Sequence, residues 1–157
     1  MRSLTIAWPA TDSPGKRPML MVAFASSDRV SVNQHFGASA GFSIYAVDSI
    51  QAALAGAVEF DAAARDGNEH KLEARIVALD GCDAVYCQAI GASAVRRLLD
   101  RGIQPLRLDQ AERIDTLLQQ LRAGICGKDI PWIERALKRK QRSDDRFSDM
   151  AAEGWQG

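Results

Sequence analysis

LMVAFASSDRVSVNQHFGASAGFSIYAV, residues Leu20 to Val47, sets the frame for the rest of the chain. Leu20–Ala25 is apolar without alternation, the pattern of a central strand covered on both faces. It stops at Ser26-Ser27-Asp28, and a polar loop follows that carries His35 in the tripeptide His35-Phe36-Gly37. Phe42–Val47 then alternates, with Phe42, Ile44 and Ala46 on one face and Ser43, Tyr45 and Val47 on the other. Histidine occurs only twice in the chain, at His35 and His70, so one between two buried strands carries weight.

Beyond this stretch a weaker third strand is expected near Gly56–Phe60. Asp66 with Glu69 three residues later forms a capping-box pattern that opens a helix. Its core face is Leu72, Ile76 and Leu79, and His70 falls on the far side. A strand over Asp83–Gln88 leads into the small-residue turn Ala89-Ile90-Gly91-Ala92-Ser93. The helix after it buries Ala94, Val95, Leu98 and Leu99, with Gly102 as a left-handed terminator. Pro105–Leu108 reads as an edge strand, because proline cannot serve a central ladder. Asp109 and Glu112 cap a helix with Ile114, Leu117, Leu118 and Leu121 inward, ended by Gly124. Pro131–Lys138 forms a last helix.

The order is β-β-β-α-β-α-β-α plus a C-terminal helix. Antiparallel strands come first and βα units afterwards, which implies an α/β fold with a five-stranded mixed sheet flanked by helices. Residues 1–18, rich in proline, read as a flexible leader. Residues 19–138 form a single α/β domain, and the charged segment 139–157 reads as a disordered tail.

Composition narrows the functional classes. At 157 residues the chain holds one domain with a proper core. Lysine plus arginine equals aspartate plus glutamate, at 20 each, so no general pull on nucleic acid or anionic membrane is expected. No apolar run approaches the roughly 20 residues that span a bilayer, and the N-terminus fails as a signal peptide, which predicts a cytoplasmic protein. Three irregularly spaced cysteines do not make a disulfide framework.

Ligands on open α/β sheets gather beyond the carboxyl ends of strands. Two loops reach that end, Ser26–Gly37 and Gln88–Ser93. Their candidate binding residues are Ser26, Ser27, His35, Phe36, Gly37, Cys87, Gly91, Ala92 and Ser93. The helix start near Gly91 offers free N–H groups and a positive dipole end to an anion. A thiolate and an imidazole beside it, Cys87 and His35, suit iron or another thiophilic metal. The bland alternatives are a hydrogen-bonding loop histidine and a small core cysteine. Cys82, five residues before Cys87, is expected on the opposite face of the same strand. No CxxC, HExxH or phosphate-binding loop occurs. A nuclease would need clustered carboxylates for divalent metal; the first strand has none, and Asp28 and Asp83 read as turn and cap residues.

Several segments together carry a resemblance. Val22-Ala23-Phe24-Ala25-Ser26-Ser27-Asp28, Gln34-His35-Phe36-Gly37, Phe42-Ser43-Ile44-Tyr45 and Asn68-Glu69-His70-Lys71-Leu72 are four of them. Leu79-Asp80-Gly81-Cys82-Asp83-Ala84-Val85-Tyr86-Cys87 and Gly91-Ala92-Ser93-Ala94-Val95-Arg96 continue the series. Over about residues 20–123 the chain resembles the dinitrogenase iron–molybdenum cofactor biosynthesis family, the NifX/NifY/NafY group. The resemblance implies a ribonuclease H-like fold without nuclease activity. It also implies non-enzymatic carriage of an iron–sulfur precursor of the iron–molybdenum cofactor between assembly proteins, with His35 at the position implicated in holding the cluster. Expected partners are the assembly scaffold, cluster-donating proteins and apo-dinitrogenase. The competing expectations are a divalent-metal-dependent nuclease or phosphotransferase, and a chaperone of apo-dinitrogenase that holds no cluster.

Overall fold

Leu20–Ala25 forms strand β1 at the middle of a five-stranded sheet, with all six residues buried. A computed structural model describes residues 19–60 and 69–154. The leader and Asp66 of the expected capping box lie outside the described residues, as does the direction of the His70 side chain.

After β1 come β2 (Ser31–Val32), a single 3₁₀ turn (Phe36–Ala38), β3 (Gly41–Val47) and β4 (Ala52–Glu59). Helix α1 (Glu69–Ala78), β5 (Ala84–Cys87), α2 (Ala92–Asp100) and β6 (Gln104–Arg107) form the βα half. The chain closes with β7 (Glu112–Arg113), α3 (Ile114–Gly127) and α4 (Pro131–Gly154). The main sheet has the order β4-β3-β1-β5-β6. β3 and β4 are antiparallel to their neighbours, whereas β1, β5 and β6 run parallel. Pro105 therefore sits on an edge strand, where its missing N–H breaks no central ladder. The mixed α/β sheet expected from the sequence is the one observed.

Both faces of the sheet are covered. Met21, Ala23, Phe42 and Ile44 pack with Ile76 of α1, with Leu79 in the turn that follows it, and with Ala94 and Leu98 of α2. Leu20, Val22 and Phe24 pack on the other face against Leu117 and Leu121 of α3 and Ile133 of α4. The alternation read in β3 holds, since Phe42, Ile44 and Ala46 belong to the first cluster and Val47 to the second. Phe24 stacks on Tyr86 at 5.4 Å between ring centroids and meets Tyr45 edge-on at 5.6 Å. Such aromatic contacts add to simple area burial.

Several local expectations are corrected. β4 starts at Ala52 rather than near Gly56; its small residues have weak strand propensity and follow the pairing of β3. Leu99 is 51% exposed, so the buried stripe of α2 is narrower than its apolar pattern implies. Glu112 does not cap α3: it lies in β7, paired with β2, and the helix starts only at Ile114. Gly124 does not end α3, which continues to a left-handed Lys128 (φ 55°) whose N–H donates to Gly124 O. Gly124 is instead a contact residue, because a Cβ there would stand 2.5 Å from Cδ1 of Ile130. Helix α4 runs past Lys138 to Gly154 with no proline between Pro131 and its end. Gly102, by contrast, ends α2 as expected: at φ 75° it donates to Leu99 O, and Ile103 N donates to Leu98 O. That pair of bonds is a Schellman closure.

Candidate functional site

β1, β5 and β6 are parallel, so their carboxyl ends lie together, and the two expected loops meet there. Phe36 N–H donates to Ala89 O (2.8 Å) and Gln88 N–H to Gln34 O (2.9 Å), leaving His35 and Ala89 as an isolated parallel bridge. The His35 loop is held at further points. Asn33 N–H donates to Ala25 O (3.2 Å), and β2 pairs with β7 through Ser31–Arg113 and Val32–Glu112. The Gln88 amide, oriented with its nitrogen toward Asn33 O (3.2 Å), accepts from Ala111 N–H (2.8 Å). Beneath the loop, Phe36 is fully buried and lies 5.6 Å from the Phe42 ring. His35 is thus an exposed side chain on a backbone fixed from both sides.

Ser26 and Ser27 reach this region but are engaged in building the loop. Ser26 Oγ donates to Asp28 Oδ1 (3.0 Å) and accepts from Arg29 N–H (2.8 Å). Ser27 Oγ accepts from Asn33 Nδ2 (2.9 Å), while Ser27 N–H donates to Asn33 Oδ1 (3.0 Å). Asp28 also accepts from the N–H groups of Val30 (2.9 Å) and Ser31 (3.0 Å). These bonds hold its carboxyl at about 2, below the ordinary 3.8, with the Ser31 and Val30 amides the main cause. A depressed pKa means that Asp28 stabilises the fold fully above pH 3.8 and loses that contribution as pH falls through about 2. The stability gap between the parent and Asp28→Asn, measured by urea unfolding, is expected to be constant near neutrality and to shrink across that acid window.

Gly91, Ala92 and Ser93, at the start of α2, are exposed. Gly91 caps α2 without any side-chain bond, and the first amides of α2 have no intrahelical acceptor. A Cβ at Gly37 or Gly91 would meet nothing within 4 Å, so both glycines border open space. The mouth therefore offers one imidazole, a set of free amides and a positive dipole end to an anion.

Cys87 departs from expectation. It is 0% exposed within the core, and burial pushes its thiol up to about 11, with Arg107 pulling slightly the other way. The thiol stays protonated at neutral pH and is sealed below the mouth rather than lining it. Cys82 is also corrected: it precedes β5 instead of lying on it, and it packs in the same cluster as Cys87. Burial, with Asp83 adding, pushes its thiol up to about 12. Among the described residues, no group of three or more His, Cys, Asp or Glu could enclose a metal ion.

The acids do not converge. Asp83 Oδ2 accepts from Met21 N–H (2.8 Å) and pairs with Lys140 Nζ (2.8 Å) at the amino end of β1. Asp28 follows the carboxyl end of the same strand.

One residue that sequence reasoning missed organises the site from behind. Arg75 on α1 is fully buried; its Nη2 donates to Ser39 O (2.7 Å), its Nε to Ser39 Oγ (3.2 Å) and its Nη1 to Lys71 O (3.1 Å). Its guanidinium lies 4.5 Å from the Phe60 ring centroid. Ser39 closes the 3₁₀ turn that follows His35. The available signal was position: Arg75 lies three residues after Leu72 on the inward face.

Comparison with known proteins bears on this geometry. Residues 19–124 match the family described as "Dinitrogenase iron-molybdenum cofactor". The chain is 45% identical to Protein NifX of Azotobacter vinelandii over 156 residues, covering 99% of each chain. It is 33% identical to Protein NifX of Klebsiella pneumoniae over 142 residues, covering 88% of this chain and 85% of the relative. The crystal structure of PH0822 superposes with a TM-score of 0.53 at 22% identity, over 67% of this chain and 90% of that one.

Proposed function

The chain belongs to the dinitrogenase iron-molybdenum cofactor family, and from that membership we propose that it carries an iron–sulfur precursor of the cofactor without transforming it. Its accessory role in iron–molybdenum cofactor biosynthesis follows from the family and from the NifX relatives. The carrier reading rests on one observation: an exposed His35 on a rigid loop adjoins the open amino end of α2. An anionic cluster would take His35 as its protein ligand and the Ala92 and Ser93 amides as hydrogen-bond donors. The Gly37 and Gly91 surfaces leave room for it. Ser26, Ser27 and Phe36 serve by holding the loop, and Cys87 is left out of the ligand set.

One imidazole with amides binds less firmly than an enclosed four-ligand site, which suits cargo that must be released. The separation of Asp28 from Asp83 argues against two-metal hydrolysis, since that chemistry needs metal ions about 4 Å apart. The cluster-donating proteins, the assembly scaffold and apo-dinitrogenase are the proposed partners, and the cytoplasm is the proposed location. Among the described residues no helix is long and apolar enough to cross a membrane.

Anaerobic titration with an isolated anionic iron–sulfur cluster, followed by optical and EPR spectra and metal analysis, tests the reading. Saturable uptake and subsequent release to the apo-scaffold are expected. Failure to take up the cluster, together with firm binding to apo-dinitrogenase, would favour the chaperone reading instead.

A further inference from the structure

At the opposite end of the sheet, a groove of about 490 Å³ opens between α4 and the chain that leads from α2 into β6. Helix α4 contributes Trp132, Arg135, Lys138, Arg139 and Arg142 to its wall. The groove meets β6 at Gln104, which pairs with Ala84 at the amino end of β5, whereas His35 bridges to Ala89 beyond the carboxyl end. The two places are separated by roughly 16 Å of strand.

Charge dominates this wall. Among the described residues no aspartate or glutamate lines the groove, and none of its four cations makes an ion pair. Arg135 and Arg142 stand two turns apart on α4, roughly 10 Å along the axis, with Lys138 and Arg139 between them. The exposed Arg139 reaches the opposite wall: a Cβ at Gly102 would stand 2.6 Å from its Nη1. Gly102 thus makes the left-handed turn after α2 and leaves the space that the Arg139 guanidinium occupies. Trp132, half-buried, and the exposed Leu99 supply an apolar side to the same groove.

We propose that this groove binds a phosphorylated small molecule with a flat or apolar body, of the nucleotide class. Three guanidinium forks in a row match phosphate oxygens in bidentate fashion, and a fourth cation adds to the field. The Trp132 and Leu99 side receives the apolar body. Its volume lies within the range of small-molecule pockets, whereas a stable protein interface needs roughly 800 Å² from each partner. The proposal does not depend on the carrier reading.

Binding of pyrophosphate, ATP and a polyglutamate peptide to the full chain, measured by calorimetry at about 0.15 M salt, tests it. Pyrophosphate and ATP are expected to bind, with ATP the tighter. The double variant Arg139→Gln/Arg142→Gln should weaken both by at least about tenfold, because two charge-assisted bonds are lost. Arg113→Gln, on β7, should stay within about twofold of the parent, since screening removes a distant exposed charge. Unchanged thermal unfolding of the double variant shows that it is folded. Absence of phosphate binding, or affinity unchanged in the double variant, overturns the proposal. Polyglutamate binding without phosphate binding would overturn it as well and assign the groove to an acidic protein.

Discussion

Replacing Arg75 by alanine is expected to destabilise the domain by about 3–5 kcal/mol, the scale for breaking a buried charged network. The bonds to Ser39 O, Ser39 Oγ and Lys71 O disappear together, and both Ser39 oxygens lose a buried donor. Hydrogen bonds to charged groups contribute about 1.5–3 kcal/mol each, but they do not add when they share one side chain. Loss of the Phe60 contact and the space left by the guanidinium increase the cost. Arg75→Lys should recover only part of the loss, because a single ammonium cannot reach Ser39 O, Ser39 Oγ and Lys71 O with the planar geometry of the fork. Urea unfolding with an unchanged slope would measure the effect. The consequence for the site is local as well as global. Ser39 N–H donates to Phe36 O, so the turn behind His35 should exchange its amide hydrogens faster in the variant even where the domain stays folded. A loss under about 1 kcal/mol would mean that Arg75 is not the support it resembles.

The strong, uninterrupted signals were those legible in the sequence. β1 needed only its unbroken apolar run, and β3 its alternation, so the central place of the first and the two faces of the second were readable. Gly102 was readable because a left-handed terminator has few alternatives. The misreadings occurred where a distant partner decided a local conformation. Asp109 and Glu112 have the composition of a helix start, yet Ser31 and Val32 draw Glu112 and Arg113 into an extended pair. Two-residue strands such as β2 and β7 leave no periodicity to detect. Gly124 looked like a terminator, but what requires glycine there is the approach of Ile130 after the next turn.

At the site, the placement of His35 at the carboxyl end of the sheet was legible, and its exposure was not. The roles of Ser26 and Ser27 could not be separated from ligand contact without the Asp28 and Asn33 bonds that occupy them. Cys87 shows the same limit. Its strand position placed it at the correct end, but parity could not tell that Phe36 and the Ala89 pairing close the core above it.

His35→Ala and Cys87→Ala are therefore expected to separate binding from stability in opposite directions. The His35 side chain is exposed and makes no hydrogen bond among the described residues, so its removal should change unfolding free energy by less than about 0.5 kcal/mol. Its loss should weaken uptake of an anionic iron–sulfur cluster by at least about tenfold; changes at residues that merely support metal ligands already cost about that much. Cys87→Ala removes a fully buried side chain from the first core cluster and should destabilise by about 1–2 kcal/mol. Cluster affinity, measured on the folded fraction, should stay within about twofold, because a protonated thiol beneath the loop donates nothing to the mouth. Unfolding curves and anaerobic titrations on the two variants in parallel give all four values. The reverse pattern, with affinity lost in Cys87→Ala and retained in His35→Ala, would mean that the loop opens on loading and that the thiolate is the ligand. Rotating Phe36 out of the core would then be part of binding, at a cost set by a buried aromatic side chain. The Phe36 N–H to Ala89 bond, which holds the loop shut, would have to break as well.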